Sequence, residues 1–430
     1  MDIRGIVKKT VSSRQIKNSG WMIGAQAFQM ICTLVVGMIS ARYLGPSNFG
    51  TLSYTESFIY FALEFVTLEM DGVIIKKMVD HPELEGEYLG GCMALRLLSA
   101  AISTVVVTAL IFALNPDEPI KITLILIQSV QFYFQAICLF EAWFQRHLQA
   151  KYTSAAKIVA SLLVAAYKVM LFVIGKDVKW FAFSNSLLYI LLAIFFAVFY
   201  VKKNGQRIKV KISRGLEVAK ESFHIVLAGF MTATFNQVDK IMIERWMTDA
   251  DVGLYSAAMA ISCAWLLVPT AFIQSFQPTI MEIKKSGDER LYLKRLKQVY
   301  AAVIWLSLGV ALIVSLFSDL IIKILYGAAY QGASKALVIT IWMGAFSIIG
   351  TARWIWVLCE NKTNFVKYFM AFGAISNVIM NYFMIPAWGI VGASIATLIT
   401  QICCNVIAPL FFKETRVHTK YVLEAFLLRF

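Results

Sequence analysis

The sequence predicts an all-α polytopic membrane protein with about twelve transmembrane helices. Three observations support this fold class: the composition, a series of long apolar runs, and the distribution of the basic residues. Hydrophobic residues make up 59% of the 430 residues, and charged residues make up only 15%. A soluble chain with so few polar residues could not cover its apolar surface, so lipid is the expected solvent.

A helix needs ~20 residues to cross a ~30 Å hydrocarbon core, and twelve apolar runs in the sequence are about that long or longer. Between the first two runs, Gly45-Pro46-Ser47-Asn48 supplies the residues of a tight turn, because glycine tolerates unusual backbone angles and proline fixes φ. The twelve predicted spans are 19–40, 51–70, 89–114, 120–144, 152–175, 179–201, 219–246, 253–278, 298–325, 334–358, 364–385 and 388–412.

The basic residues test this topology. Of the 40 Lys and Arg residues, 29 fall in the alternate segments that include both termini, 7 fall in the opposite segments and 4 lie within spans. Cytoplasmic loops carry such an excess of Lys and Arg, so both termini are expected in the cytoplasm, with the chain in the cell (inner) membrane. Because the net charge of +14 is explained in this way, no nucleic-acid partner is expected.

The remaining composition argues against an enzyme and against a bound cofactor or metal. Seven cysteines are scattered without a CxxC pair, and four histidines are spread out without an HExxH motif. The sequence also has no Walker-type or dinucleotide-binding glycine loop. A membrane glycan polymerase remains an alternative, although such enzymes usually carry a large outer loop and every predicted outer loop here is short.

An internal repeat is suggested by one spacing that occurs twice. Arg42 is followed eight residues later by Gly50, and Arg245 is followed eight residues later by Gly253, with a tyrosine soon after each glycine. Chance remains the alternative, because the match is short. The repeat divides the chain into an N-terminal bundle (1–203, spans 1–6), a cytoplasmic linker (204–217) and a C-terminal bundle (218–430, spans 7–12). Parallel repeats of this kind occur in transporters.

The chain resembles the polysaccharide biosynthesis branch of the superfamily that also contains multidrug and toxic compound extruders, and the resemblance covers nearly all of it. The branch includes O-antigen repeat-unit flippases, which serve lipopolysaccharide synthesis. The residues that carry the resemblance are Arg42-Tyr43-Leu44-Gly45-Pro46 with Phe49-Gly50, and Asp239-Lys240 followed by Gly253-Leu254-Tyr255.

The resemblance implies two six-helix bundles around a central cavity that opens alternately to each side of the membrane. It implies a lipid-linked oligosaccharide cargo, usually on undecaprenyl pyrophosphate, and a flippase activity. The implied partners are this substrate, membrane lipids, a glycan polymerase and the chain-length machinery. The alternatives on the same scaffold are an exporter of small amphipathic compounds and a flippase for peptidoglycan precursors.

Charged residues within spans are the candidate site residues, because a charge in lipid is costly and usually faces a cavity or a partner. A pyrophosphate headgroup needs cations, and arginine is favoured for bidentate phosphate contact. Snorkelling of the long side chain to an interface is the alternative explanation for some of them. The substrate-binding candidates are Arg42, Arg96, Lys168, Lys240 and Arg353.

Acidic and amide residues are candidates for coupling transport to an ion gradient. Asn236 and Asp239 are three residues apart on the seventh span and could coordinate a cation or take up a proton. Glu64 on the second span is a further candidate for this role. Lys240 and Glu244 are four residues apart, so a simple ion pair along the helix is the alternative explanation for that lysine.

Overall fold

Residues 13–429 are described by a computed structural model, and within this range the chain is helical with no β-strand. Single turns of 3₁₀ helix occur in several connections, and a π-helix at Cys403–Ile407 follows the longest element of the second half. The α-helices are α1 Ser13–Thr67, α2 Asp71–Asp80, α3 Glu85–Leu114, α4 Pro119–Ile137, α5 Phe140–Arg146, α6 Ala150–Ile174, α7 Val178–Lys202, α8 Ile212–Trp246, α9 Asp249–Trp265, α10 Leu267–Lys285, α11 Glu289–Leu316, α12 Ser318–Leu325, α13 Ala333–Cys359, α14 Val366–Ile402 and α15 Arg416–Phe426.

Two of these helices are broken at a glycine. In α1 the backbone at Gly45 has φ 74° and ψ 169°, and Pro46 follows it. In α14 the break is at Gly389, with φ 58° and ψ −137°. Positive φ is readily adopted only by glycine, so each break lies at a residue that permits it. Where the sequence predicts a turn between the first two spans, the structure has a helix break at the single residue Gly45.

Long apolar helices confirm a polytopic membrane protein. Within the described part of the chain, nine helical runs are long and apolar enough to cross a membrane. Two of them, at 20–80 and 363–411, contain the glycine breaks and are long enough for two spans each. Helix α8, predicted as a span, is not among the nine, because polar residues such as Asn236 and Asp239 lower its mean hydropathy. The count of twelve spans stays a prediction.

The described chain packs into two compact units. The first comprises the residues up to Tyr43 together with Thr55–Phe230, and the second comprises Leu44–Tyr54 together with Met231–Phe430. The residues around the break at Gly45 therefore pack with the second unit. The proposed division at the linker 204–217 rests on the sequence pattern alone.

The core of the first unit is aromatic at one end. Tyr88 on α3, Phe144 on α5 and Phe196 on α7 are all buried there. The rings of Phe140 and Tyr200 lie 4.5 Å apart, which is close packing for two aromatic side chains. This cluster fixes the ends of several helices against one another.

A buried carboxylate lies beside this aromatic cluster. Glu85, at the start of α3, is only 3% exposed. One of its oxygens lies 2.9 Å from Nε of Arg146, and the other accepts a hydrogen bond of 2.8 Å from Nε1 of Trp143. Nε2 of His147 lies 3.3 Å from the same carboxylate. The first turn of α3 is thereby joined to α5 through a network of charged groups.

The predicted linker packs against a glycine face of α3. A methyl group added at Gly86, Gly90 or Gly91 would strike a backbone carbonyl of residues 207–211. The backbone N–H of Lys209 donates to the carbonyl of Gly86 at 3.1 Å. Glycine is needed here because the extended backbone approaches the helix too closely for a side chain.

An ion-pair cluster fixes the beginning of α8 beside this linker. Nζ of Lys77 lies 2.7 Å from Glu217 and 2.5 Å from Glu221. The hydrogen bonds that Lys77 donates to these two carboxylates raise its pKa. The lysine therefore stays charged over the physiological pH range and ties α2 to α8.

The second unit has its own core. Tyr292 and Tyr300 on α11 are buried together with Trp356 on α13. Helix α15, the last helix, packs on this group through Val422 and His418, and both residues are buried. The ring of His418 lies 5.5 Å from the ring of Trp356. The second unit is thus closed at one end by the C-terminal helix.

The two glycines of the sequence repeat meet each other within the second unit. A methyl group added at Gly50 would strike the carbonyl of Asp249, and one added at Gly253 would strike the carbonyl of Pro46. Each glycine thus faces the carbonyl that lies four residues before the other glycine. The hydroxyl of Thr51 also donates to Oδ2 of Asp249 at 3.0 Å. The repeated spacing therefore corresponds to a symmetric helix crossing.

Replacing Gly50 by alanine should destabilise the protein by about 1–3 kcal/mol, because a methyl group forces the two backbones apart. Thermal unfolding of the purified protein in detergent would measure the loss. Gly309→Ala is the matched control, since a methyl group there meets no atom within 4 Å. Equal unfolding temperatures for the two variants would contradict the importance of the crossing.

Candidate functional site

The candidate site is centred on Asp239, a carboxylate enclosed within the second unit. Asp239 lies on α8 and is 1% exposed. Its Oδ2 accepts hydrogen bonds from the hydroxyls of Tyr255, at 2.5 Å, and Thr397, at 2.8 Å. Its Oδ1 accepts a hydrogen bond of 2.5 Å from the amide of Asn381. A single negative charge is therefore surrounded by neutral polar groups.

The break in α14 brings two of these groups to the carboxylate. Asn381 lies before Gly389 and Thr397 lies after it, so both segments of the broken helix reach Asp239. The two segments approach closely, because a methyl group added at Gly392 would strike the carbonyl of Met384. In a straight helix, Asn381 and Thr397 would be far apart along the axis, because they are 16 positions apart in the sequence. One carboxylate would then not contact both.

The amide pair on α14 has unused hydrogen-bonding capacity. Asn381 donates to Oδ1 of Asn377 at 3.1 Å, and both residues are fully buried. Among the described residues, Oδ1 of Asn381 and Nδ2 of Asn377 have no hydrogen-bond partner. Buried polar atoms are usually paired, so these two atoms indicate a place where a further group binds or where the amides rotate. Hard cations prefer the oxygen ligands found here.

Arg353, a predicted substrate ligand, is engaged with the π-helix. It is 3% exposed on α13, and its Nη1 lies 3.3 Å from the carbonyl of Cys404 and 3.4 Å from that of Asn405. The guanidinium also lies 4.6 Å from the ring centre of Phe369. A π-helix disrupts the regular pairing of the backbone, and Arg353 satisfies its carbonyls. Its role as a substrate ligand stays a prediction.

A polar cavity adjoins the network in the second unit. Its volume is 260 Å³, and it lies between α8, α13, α14 and the π-helix. Asn236, predicted as a partner of Asp239 in ion binding, lines this cavity, whereas the hydrogen bonds to Asp239 come from other residues. The ion-binding role of Asn236 also stays a prediction. The polar lining residues are Thr232, Asn236, Ser347, Thr351, Gln401 and Asn405.

The other predicted cations lie in different environments. Arg42 is exposed in the first unit, and Lys168 on α6 is half-buried there. Arg96 on α3 is buried and contacts Oδ2 of Asp71 through Nη2 at 3.0 Å. In the second unit, Nζ of Lys240 donates to Gln237 at 3.0 Å. The hydrogen bonds of the Asp239 network do not include any of these four cations.

Glu64, the second acidic candidate, lies in the first unit on α1. Its side chain is half-buried and approaches Gly229 so closely that a methyl group there would strike Oε2. That oxygen has no hydrogen-bond partner. Glu64 and Asp239 therefore belong to separate units, and the coupling role of each stays a prediction.

Sequence reasoning found Asp239 but missed three members of its network. Asn377 and Asn381 are four residues apart in an apolar run, which is the spacing that places two amides on one helix face. This spacing in the sequence was sufficient to predict that the two amides lie side by side. Thr397 carried none, because a threonine in a span commonly bonds to its own helix, and here the carbonyl of Ala393 is an alternative acceptor for its one hydroxyl proton.

The long apolar helices define the class, a polytopic α-helical membrane protein, here with an enclosed carboxylate and a cavity. Comparison with known sequences then specifies the family. The chain belongs to the polysaccharide biosynthesis protein family, which matches residues 16–284. The family predicted from the sequence motifs is thereby confirmed.

Curated relatives agree with this assignment. The probable low-salt glycan biosynthesis flippase Agl15 of Haloferax volcanii is 20% identical over 408 residues, which cover 91% of this chain and 79% of that protein. The probable flippase AglR of the same organism is 23% identical over 182 residues. That match spans 41% of this chain and 37% of AglR. Both relatives are described as flippases and not as enzymes.

Solved structures show the same fold. Lipid II flippase MurJ, in its inward closed conformation, is similar with a TM-score of 0.74 and 18% identity, covering 94% of this chain and 89% of that one. An inward-facing multidrug resistance transporter of the MATE family has a TM-score of 0.69 and 13% identity, covering 92% and 96%. At these identities the likeness concerns the fold alone.

Proposed function

We propose that the protein is a flippase that moves lipid-linked oligosaccharide repeat units across the cell membrane by alternating access, driven by a cation or proton bound at Asp239. The flippase class is supported by the family and by the two relatives with flippase descriptions. The ion-driven mechanism is supported by one observation above all, the enclosed carboxylate of Asp239 on a helix that the sequence predicts as a span.

The energetics of this carboxylate carry the proposal. A lone negative charge in a membrane protein interior is expensive, and it is neutralised by a partner cation or a proton. The groups around Asp239 that are described above are neutral hydroxyls and amides. They provide oxygen ligands for a monovalent cation, and half a turn of the Asn381 amide would present its unpaired Oδ1 to that ion. One bound positive charge would balance the site.

The cargo is proposed to carry an undecaprenyl pyrophosphate anchor, as for O-antigen and lipopolysaccharide precursors. Arg42 and Lys168 are proposed to contact the pyrophosphate, since their side chains retain exposure in the first unit. Arg96 is proposed as a weaker contributor because Asp71 already neutralises it. Both termini are proposed to be cytoplasmic, and the glycan polymerase and chain-length machinery are proposed as partners, on the basis of the charge asymmetry and the family.

Deleting the gene in the source organism should remove surface glycan while lipid-linked units accumulate facing the cytoplasm, because synthesis continues when translocation stops. Accessibility of these units to a membrane-impermeant glycan-modifying reagent, in intact cells and in inverted vesicles, would measure their orientation. Restoring the wild-type gene is the control. Accumulation of single outward-facing units would favour a polymerase and contradict the proposal.

A further inference from the structure

The cavity beside the Asp239 network is lined by a mixture of apolar and polar residues, and none of its described lining residues is charged. Three amides and three hydroxyls supply the polar atoms, and neither a carboxylate nor an Arg or Lys side chain is among the lining residues. Amide and hydroxyl groups can both donate and accept hydrogen bonds. The lining therefore suits a ligand that also offers both donors and acceptors and carries no charge.

Two charged side chains lie beside this cavity, and neither is among its described lining residues. The guanidinium of Arg353 contacts the carbonyls of Cys404 and Asn405 and the side-chain oxygen of Asn405, at 3.3–3.4 Å. The carboxylate of Asp239 accepts three hydrogen bonds in its own network. The described lining residues themselves therefore offer no charged group of opposite sign to a phosphate or to a metal ion.

The wall is held in place by hydrogen bonds and glycines. Asn405 donates to Oε1 of Gln401 at 2.7 Å while its own side-chain oxygen accepts from Arg353. Gly350 leaves room for that oxygen, because a methyl group there would strike it. Two polar lining residues are thus oriented before a ligand arrives, which lowers the entropic cost of binding.

The cavity also has an apolar side and a limited size. Phe235 and Met370 line it together with the polar residues. An aromatic face and hydrogen-bonding groups together match a sugar ring, which has hydroxyls at its edge and C–H bonds on its faces. The volume of 260 Å³ equals the space of about nine water molecules, so one sugar ring fits and a repeat unit does not.

We infer that this cavity binds one neutral sugar residue of the lipid-linked glycan. The inference rests on the proposed function, since it assigns a subsite for that cargo. The subsite lies one helical turn from Asp239, because Asn236 precedes Asp239 by three residues and Gln401 follows Thr397 by four. Binding of the sugar is therefore placed next to the groups that would hold the ion.

Equilibrium binding to the full chain in lipid nanodiscs tests this subsite. The probes are undecaprenyl pyrophosphate alone and the same carrier with a single N-acetylglucosamine or a single glucose. At least one sugar should raise the affinity of the wild type about tenfold, as expected from two added hydrogen bonds. Thr351→Val removes one hydroxyl and should reduce this gain about threefold or more, and Thr351→Leu, which fills the cavity, should abolish it.

Thr108→Val is the matched control, because the Thr108 hydroxyl bonds within α3 in the other unit. It should leave both affinities unchanged. The subsite would be overturned if the sugar-dependent increase in affinity survives both Thr351→Val and Thr351→Leu. It would also be overturned if the wild type binds the carrier equally well with and without either sugar. A third outcome is that the variants change the response of transport to an ion gradient but leave the sugar-dependent increase in affinity intact. The cavity would then be a path for the ion, and the proposed sugar subsite would be overturned.

The failure of the proposed function would look different. If neither the bare carrier nor its sugar-bearing forms bind to the wild type, the protein does not recognise this class of lipid. That result would overturn the flippase proposal itself, and the subsite with it. Binding of the bare carrier without any sugar effect would overturn the subsite alone.

Discussion

Replacing Asp239 by asparagine should abolish the dependence of transport on an imposed ion gradient. The variant keeps the shape of the side chain and removes the one negative charge of the network. Without that charge, the site no longer attracts a cation or a proton. Moving one elementary charge across 100 mV is worth about 2.3 kcal/mol, which corresponds to a roughly 50-fold accumulation of the cargo. The wild type should show this gradient-driven accumulation, and Asp239→Asn should lose it.

Proteoliposomes loaded with a fluorescent short-chain lipid-linked sugar would measure this loss, with sodium, potassium and proton gradients imposed in turn. Asp319→Asn is the matched control, because Asp319 is exposed in the same unit and accepts a hydrogen bond from the nearby side chain of Gln331. Tyr255→Phe should produce an intermediate loss, since it removes one of three hydrogen bonds to the carboxylate.

Glu64→Gln separates the two acidic candidates. If Asp239 is the coupling group, Glu64→Gln keeps the gradient dependence and Asp239→Asn loses it. The reverse result would move the coupling role to the first unit. A gradient dependence that is unchanged in both variants would contradict the proposed mechanism, because no acidic candidate would remain.

Removing the carboxylate of Glu85 should destabilise the protein by about 3–5 kcal/mol, because Arg146 would be left without its buried counter-charge. Glu85 is 3% exposed, and its contacts to Arg146 and Trp143 are 2.9 and 2.8 Å long. Equilibrium unfolding of Glu85→Gln in mixed micelles would measure the loss. A double-mutant cycle with Arg146→Gln would isolate the pairwise energy.

An exposed ion pair provides the control for this prediction. Lys420 and Glu424 lie one turn apart on α15 at 3.8 Å, and the lysine side chain is 72% exposed. Exposed pairs contribute about 0–1 kcal/mol, so Lys420→Gln should have little effect. A loss of less than 1 kcal/mol in Glu85→Gln as well would show that burial does not strengthen the Glu85 network.

The membrane fold was predictable because lipid imposes a simple length requirement on each helix. The apolar runs and Gly45-Pro46 sufficed to place the first turn. Asp239 was also recognisable, since a charge within an apolar run is conspicuous. Its partners were not, because their meeting depends on the break at Gly389, which brings Asn381 and Thr397 together from two segments of one helix.

The π-helix was equally hidden from sequence reasoning. A π-helix of only five residues is too short to leave a periodic signal in the sequence. The contacts of Arg353 to the carbonyls of Cys404 and Asn405 were hidden for the same reason, and its role as a phosphate ligand stays a prediction. The packing of the linker 204–217 on the Gly86 face was also not visible in the sequence, because it depends on a close backbone approach.

The crossing of Gly50 and Gly253 bears on how such a chain could originate. Each glycine faces the carbonyl that precedes the other by four residues, so the contact is self-complementary. Two identical subunits related by a two-fold axis make contacts of this isologous kind. A single ancestral half carrying one Arg-to-Gly segment could therefore have paired with a second copy of itself through this surface. Gene duplication and fusion would then have made the dimer permanent in one polypeptide.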